Sequence, residues 1–212
     1  MDVSRQRSEA PAERGARART RRLMLAVATR LMQDGLVPSV SEVAAAADVS
    51  RATAYRYFPS QAALVEAVVD EALGPILDWH SPAKDVRARV NDLLVGSIPR
   101  IEAFEATFRA ALRHAIDQRP QMTEGEAGAD APFKRGHRVK LLSEAVTRSS
   151  AGLPEEDAGR LIRALSLLFG VEALIVLKDI WGADSAEARE VIVWAADALV
   201  EAAVSQAGGC KE

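Results

Sequence analysis

A chain of 212 residues that is 49% apolar can bury one large domain, or a small and a larger one, while its formal net charge of −3 excludes a protein whose whole surface meets a polyanion. The single cysteine, Cys210, excludes an internal disulfide framework and fits a reducing cytoplasm. The opening stretch MDVSRQRSEAPAERGARARTRR lacks the apolar run of a secretory signal. The most apolar segment, 161–182, is interrupted by Arg163, Glu172 and Lys178, as in a buried helix rather than a membrane span.

The first sixteen residues, with Pro, Gly and Arg, read as a mobile basic arm. No strand pattern follows; apolar residues recur at helical spacing, which predicts an all-α fold of about nine helices. Helix 1 is expected over 17–33, stopped near Gly35. Helix 2, over 40–47, opens on the capping box SVSE, with Ser39 as N-cap and Glu42 three residues later. Helix 3 covers 51–57 behind the cap Ser50, and helix 4 runs from Ser60 to Leu73, before Gly74-Pro75. Residues 78–84 read as irregular, then helices over 84–97 and 100–118 with Pro99 between them. Residues 119–132 form a loop, and helix 7 spans 133–149 with KRGHRVK on its wet face. Helix 8 runs from Pro154 to about Trp181. Helix 9 opens on a capping box of Asp184 and Glu187 and ends near Val204.

Charge is unevenly spread. Residues 1–59 hold ten Lys and Arg against six Asp and Glu, and residues 60–212 hold 17 against 24. Only one end is therefore suited to a polyanion, although a solvated Arg-rich tail has the same composition. Helices 2 and 3 are joined by about three residues, a helix-turn-helix spacing. Ala44, Val49 and Ala54 suit the crossing, and Phe58, Leu31 and Leu64 can anchor the unit. Helix 3 then presents Arg51, Thr53, Tyr55, Arg56 and Tyr57 outward. Arginine can fork onto guanine, threonine can meet a thymine methyl, and hydroxyls can bond phosphates. Ser39 and Ser50 cap helix ends whose N–H groups suit phosphate oxygens. Arg14, Arg17, Arg19, Arg21 and Arg22 either follow the DNA backbone or are merely solvated.

The segments LMLAVATRLMQDG (23–35) and SVSEVAAAADVSRATAYRYFPSQAAL (39–64) resemble the DNA-binding domain of tetracycline-repressor (TetR) family transcriptional regulators, over residues 20–73. That resemblance implies phosphate contacts by Ser39, Tyr57 and Gln61. It implies base or adjacent phosphate contacts by Arg51, Ala52, Thr53, Tyr55 and Arg56. Two residues depart from the pattern: Gln61 stands where lysine is usual, and Asp48 where glycine is usual in the turn. Aspartate tolerates a left-handed backbone better than most residues.

Residues 74–212 resemble, more weakly, the regulatory and dimerisation domain of the same family. The resemblance implies a homodimer through the last two helices. Their apolar surplus includes Leu165, Leu168, Phe169, Ile175, Val191, Trp194 and Leu199. A two-fold dimer would present two reading helices roughly 34–36 Å apart to a palindromic double-stranded DNA operator. An unidentified small-molecule effector would lie among Trp79, Phe104, Phe108, His114, Phe133 and Trp181, each of which also suits plain core. His80, His114 and His137 are far apart in sequence, and there is no glycine-rich phosphate loop or GxSxG, so no catalytic or metal site and no cofactor is expected. The expected function is a cytoplasmic, ligand-responsive repressor. A non-transcriptional DNA-binding scaffold and a protein-interaction module would share the same helices.

Overall fold

The computed structural model describes residues 11–118, 136–149 and 152–209, and they are helical without a strand. The helices are α1 (Pro11–Gln33), α2 (Val40–Ala46), α3 (Arg51–Tyr57), α4 (Gln61–Leu73), α5 (Val86–Ala103) and α6 (Glu105–Gln118). They continue with α7 (Gly136–Thr147), α8 (Glu155–Leu165), α9 (Val171–Leu174) and α10 (Ser185–Gly209). A 3-10 turn, Gly74–Asp78, follows α4, and a π-helical segment, Ile175–Ile180, continues α9. The all-α expectation holds. Residues 1–10 of the expected arm, the loop 119–132 and Cys210 lie outside the described residues. Residues 11–16, also expected in the arm, belong to α1, whose first residue is the proline that suits a helix start.

Contacts divide the chain into two compact units: 1–68 with 110–133, and 69–109 with 134–212. In the first, Met24, Ala28 and Met32 line the inner side of α1, and Val40, Val43 and Ala44 that of α2; all are at most 1% exposed. α1 ends in a Schellman turn: Gly35 takes φ 79°, its N–H bonds Met32 O, and the Leu36 N–H bonds Leu31 O. Arg113 closes the same end, donating to Gly35 O at 2.6 Å.

In the second unit, arginines are used as carbonyl clamps. Arg100 donates from Nε to Ala72 O and Leu73 O and from Nη2 to Glu71 O. It thereby caps the α4 C-terminus, where the helix dipole favours a cation. Gly74 follows with φ 46°, and a Cβ there would come within 2.6 Å of Arg100 Nη2. Arg89 is only 4% exposed, yet it donates to Ser81 O, Ala83 O, Glu144 O and Ala145 O. A buried guanidinium is tolerated because these carbonyls replace its water shell.

Two expected helix boundaries move. Pro99 does not separate two helices; it sits inside α5, and the break comes at Phe104. Buried Ile98 and Ile101 and the Arg100 clamp hold the helix together past the missing N–H. The expected helix from Pro154 to Trp181 is interrupted at 166–170. Arg138, in the stretch expected to be wet, enters the break. It donates to Ser166 O at 3.1 Å and to Glu172 Oε2 at 2.6 Å. Gly170 takes φ 141°, and a Cβ there would lie 2.2 Å from Arg138 Nη2, so only glycine fits.

The π segment is held by alternating charges. Lys178 Nζ lies 3.0 Å from Glu105 Oε2 and 3.1 Å from Glu102 Oε1. Arg189 reaches Glu102, and Arg109 joins Glu105 to Asp179. Burial alone would raise the Glu102 carboxyl, but hydrogen bonds from Ser185, Arg189 and Lys178 outweigh it and hold the group below its ordinary 4.5. Burial would lower the Lys178 ammonium, but Glu105 and Glu102 hold it above its ordinary 10.5.

The Glu102 contribution is therefore present above its unfolded value and lost as pH falls through the depressed one. The Lys178 contribution is complete below its unfolded value and lost as pH rises through the raised one. Thermal denaturation across pH should show a stability plateau between about 5 and 10 with a loss on each side. Glu102→Gln should lower the plateau by about 1–3 kcal/mol and shrink the acid-side loss.

Candidate nucleic-acid interface

The expected reading helix is made as its sequence requires. Ser39 Oγ accepts from the Glu42 N–H at 3.2 Å, and Glu42 Oε2 accepts from the Ser39 N–H at 2.7 Å. That backbone bond, with the one from Ser39 Oγ, holds the Glu42 carboxyl below its ordinary range. The Ser39 N–H is thus taken up within the capping box. The turn to α3 is a second Schellman motif. Asp48 takes φ 52°, its N–H bonds Ala45 O, and the Val49 N–H bonds Ala44 O. The aspartate at the expected glycine position therefore does adopt the left-handed backbone.

α3 is seven residues, too short to be stable alone in water. Ala54 (0% exposed) and Phe58 (2%) fix it to the unit, and Arg21 lies 5.5 Å over the Phe58 ring. Its other face holds Arg51, Ala52, Tyr55 and Arg56, all exposed, with Thr53 and Tyr57 half-buried. Ser50 Oγ accepts from the Thr53 N–H and donates to Thr53 Oγ1 at 2.9 Å. Thr53, not Ser50, therefore keeps a hydroxyl hydrogen for a partner. Tyr55 Oη lies 3.4 Å from Ser41 Oγ, and Arg56 stacks 5.9 Å over Tyr57. Arg51 has no side-chain partner among the described residues, and it stands in the first turn of α3. Gln61 donates one Nε2 hydrogen to Val37 O at 3.1 Å, which leaves the second amide hydrogen for another acceptor.

Residues 25–68 match the model for "Bacterial regulatory proteins, tetR family". Over that segment the chain is similar to tetR-family regulatory proteins. Over 105 residues it is 30% identical to the HTH-type transcriptional repressor LfrR of Mycolicibacterium smegmatis; that match covers 50% of this chain and 46% of the relative. The chain thus spans about half the length of this relative. A TetR transcriptional regulator from Rhodococcus sp. RHA1 superposes with a TM-score of 0.61 at 22% identity, over 86% of this chain and 96% of that one. A tetR-family regulator from Streptomyces coelicolor does so at 0.60 and 18%, over 91% and 89%. These two likenesses establish the tetR-type fold for nearly the whole chain.

The expected effector residues have individual surroundings. Trp79 stacks under Arg89 at 5.7 Å and Phe104 under Arg100 at 5.0 Å, so both are partners of structural arginines. Trp181 is 77% exposed, Phe108 is half-buried, and His114 is buried in the first unit. Phe133 lies outside the described residues. A cleft of about 350 Å³ is lined instead by Val146, Thr147, Leu153, Glu155, Ala158 and Ile162, and contains none of the six.

The expected dimer residues also divide. Leu165 (1% exposed) and Phe169 (4%) are buried, in step with Leu161 four residues earlier. Leu168, Ile175 and Leu199 are half-buried, while Val191 and Trp194 are exposed. Leu167 (75%), Ile180 (72%) and Trp181 (77%) are also exposed. α10 is long and apolar enough to cross a membrane by length and composition alone. Its Asp197 and Glu201, however, face Arg87 at 3.9 and 3.2 Å.

The strained turn supplies a check. Asp48→Val should cost about 1–2 kcal/mol, because a β-branched side chain resists positive φ. Asp48→Gly should stay within about 0.5 kcal/mol of the parent. Thermal melts would show both, and an equal loss from each would mean that the carboxylate rather than the backbone matters.

Proposed function

We propose that the protein is a DNA-binding transcriptional repressor that acts as a homodimer on a palindromic operator and responds to a small effector. The observation that carries this reading is the division of α3. Its inner face is spent on Ala54 and Phe58, while Arg51, Ala52, Tyr55 and Arg56 face solvent from a helix that could not stand alone. A groove-reading helix needs that arrangement. The tetR-type domain and the repressor LfrR, as a relative, support it. Arg51 is the residue assigned to base reading, since its guanidinium is unengaged among the described residues and stands at the N-terminal end of α3.

The second subunit would cover Leu167, Val176, Ile180, Trp181, Val191 and Trp194, an apolar set too large to be left to water on a stable monomer. The effector would be a small molecule with an apolar body, and the cleft beside Val146, Ala158 and Ile162 is the candidate site for it. Its effect on operator affinity would be a coupling between two ligands, equal in both directions.

Selection of bound duplexes from random DNA at two salt concentrations tests the reading. A palindromic consensus with steeply salt-dependent affinity is expected; binding without a consensus would instead point to a scaffold. On the selected operator, Arg51→Ala should cost about 1–3 kcal/mol and relax preference at one base position per half-site. A uniform loss on all sequences would make it a phosphate contact. Trp194→Glu should yield a 22.8 kDa monomer in analytical ultracentrifugation. A dimer that survives this change would place the interface elsewhere.

A further inference from the structure

The side chains in the first turn of α3 are short of acceptors. Arg51 has N–H donors only, Ala52 and Ala54 have no polar group, and residues 51–54 include no Asn, Gln, Asp or Glu. That leaves the Thr53 hydroxyl, which by itself can give its hydrogen or accept through its lone pairs. A hydroxyl free to turn both ways fits a thymine O4 or a cytosine amine and tells the two apart poorly.

Ser50 decides which way it turns. The Ser50 Oγ accepts from the Thr53 N–H at 3.3 Å and donates its own hydrogen to Thr53 Oγ1 at 2.9 Å. Thr53 Oγ1 therefore has a lone pair filled within the protein, while its hydrogen remains to be placed. The helix backbone does not take that hydrogen. Thr20, Thr29 and Thr147 each donate to the carbonyl oxygen four residues earlier, at 3.1, 2.9 and 2.8 Å, whereas Thr53 has no acceptor among the described residues. A base edge with an oxygen completes the hydroxyl. A base edge with an amine would fill a second lone pair and leave the hydrogen without a partner in a desolvated groove, a state that costs about tenfold in affinity.

We propose that Ser50 is a positioning residue that makes Thr53 a thymine reader. Thr53 donates to thymine O4, and its methyl group lies against the thymine C5 methyl. With Arg51 beside it, the first turn of α3 selects base edges that offer acceptors, and it discriminates against cytosine at the Thr53 position. The cap thus has two roles: it closes the start of α3, and it fixes the polarity of a reading hydroxyl. The proposal rests on the DNA-binding reading above and deepens it to the chemistry of one base.

The test titrates the full chain onto fluorescent duplexes carrying the selected operator. Thr53→Val keeps the shape of the side chain and removes the hydroxyl. It should change base preference at one position per half-site, and that position should hold a thymine. Replacing that thymine by 5-methylcytosine, paired with guanine, keeps the methyl group and exchanges O4 for an amine. The parent chain should lose about tenfold in affinity on this duplex. Ser50→Gly, a change that helix caps tolerate, should lose most of that discrimination, because the hydroxyl can then turn its hydrogen into the space Ser50 leaves. Ser50→Thr restores a donating hydroxyl at the cap and should keep the discrimination. If Ser50 serves helix stability alone, Ser50→Gly weakens binding to both duplexes alike, and the proposal is overturned. A uniform loss on all sequences from Thr53→Val, or a base other than thymine at its position, overturns it too. These results leave the DNA-binding reading standing. A parent chain that binds no duplex at all overturns that reading and this proposal with it.

Discussion

A helix of seven residues cannot hold itself together, and the first unit is arranged around that constraint. α3 makes few backbone bonds, so its position depends on Ala54 and Phe58 being enclosed and on a turn tight enough to bring it back onto α2. The turn in turn depends on Asp48 accepting a left-handed backbone and on the bond from the Val49 N–H to Ala44 O. Small residues are what permit the close crossing: Ala44 and Ala54 are both at most 1% exposed. Once the inner face is spent in this way, Arg51, Tyr55 and Arg56 are left facing solvent.

The second unit solves a different problem with a common device. Helix C-termini and helix breaks leave carbonyl oxygens without donors, and three arginines supply them. Arg100 serves the end of α4, Arg89 the end of α7, and Arg138 the break before α9. The planar fork of guanidinium lets one side chain satisfy several acceptors, which an ammonium on a flexible stem does less well. Two of these guanidinium groups rest on aromatic rings, Arg89 on Trp79 and Arg100 on Phe104.

Charge follows the same division of labour. In the first unit Arg17, Arg19, Arg21, Arg22 and Arg30 are exposed, whereas in the second unit Arg109, Lys178 and Arg189 are paired with Glu102, Glu105 and Asp179. The chain's small net charge therefore conceals one region whose cations face solvent and another where they are closely paired with carboxylates. The uneven spread is visible in the charge of each segment; the pairing exists only in three dimensions, because its partners come from different helices.

Local rules were enough to read much of this protein. The capping box at Ser39, the cap at Ser50, the left-handed Asp48 and the exposed face of α3 all depend on residues within four or five positions of one another, and the sequence by itself determined them. Tertiary structure decided the rest. Pro99 reads as a helix boundary until Ile98, Ile101 and Arg100 are seen to hold α5 past it. Helical periodicity runs on through 166–170 until Arg138, about thirty positions earlier, is seen to fill the break. The bond from the Gln61 amide to Val37 O, twenty-four positions away, is likewise invisible in the local pattern. In each case the deciding partner is distant in sequence, and a donor or an apolar side chain arriving from elsewhere leaves no trace in the local pattern it overrides.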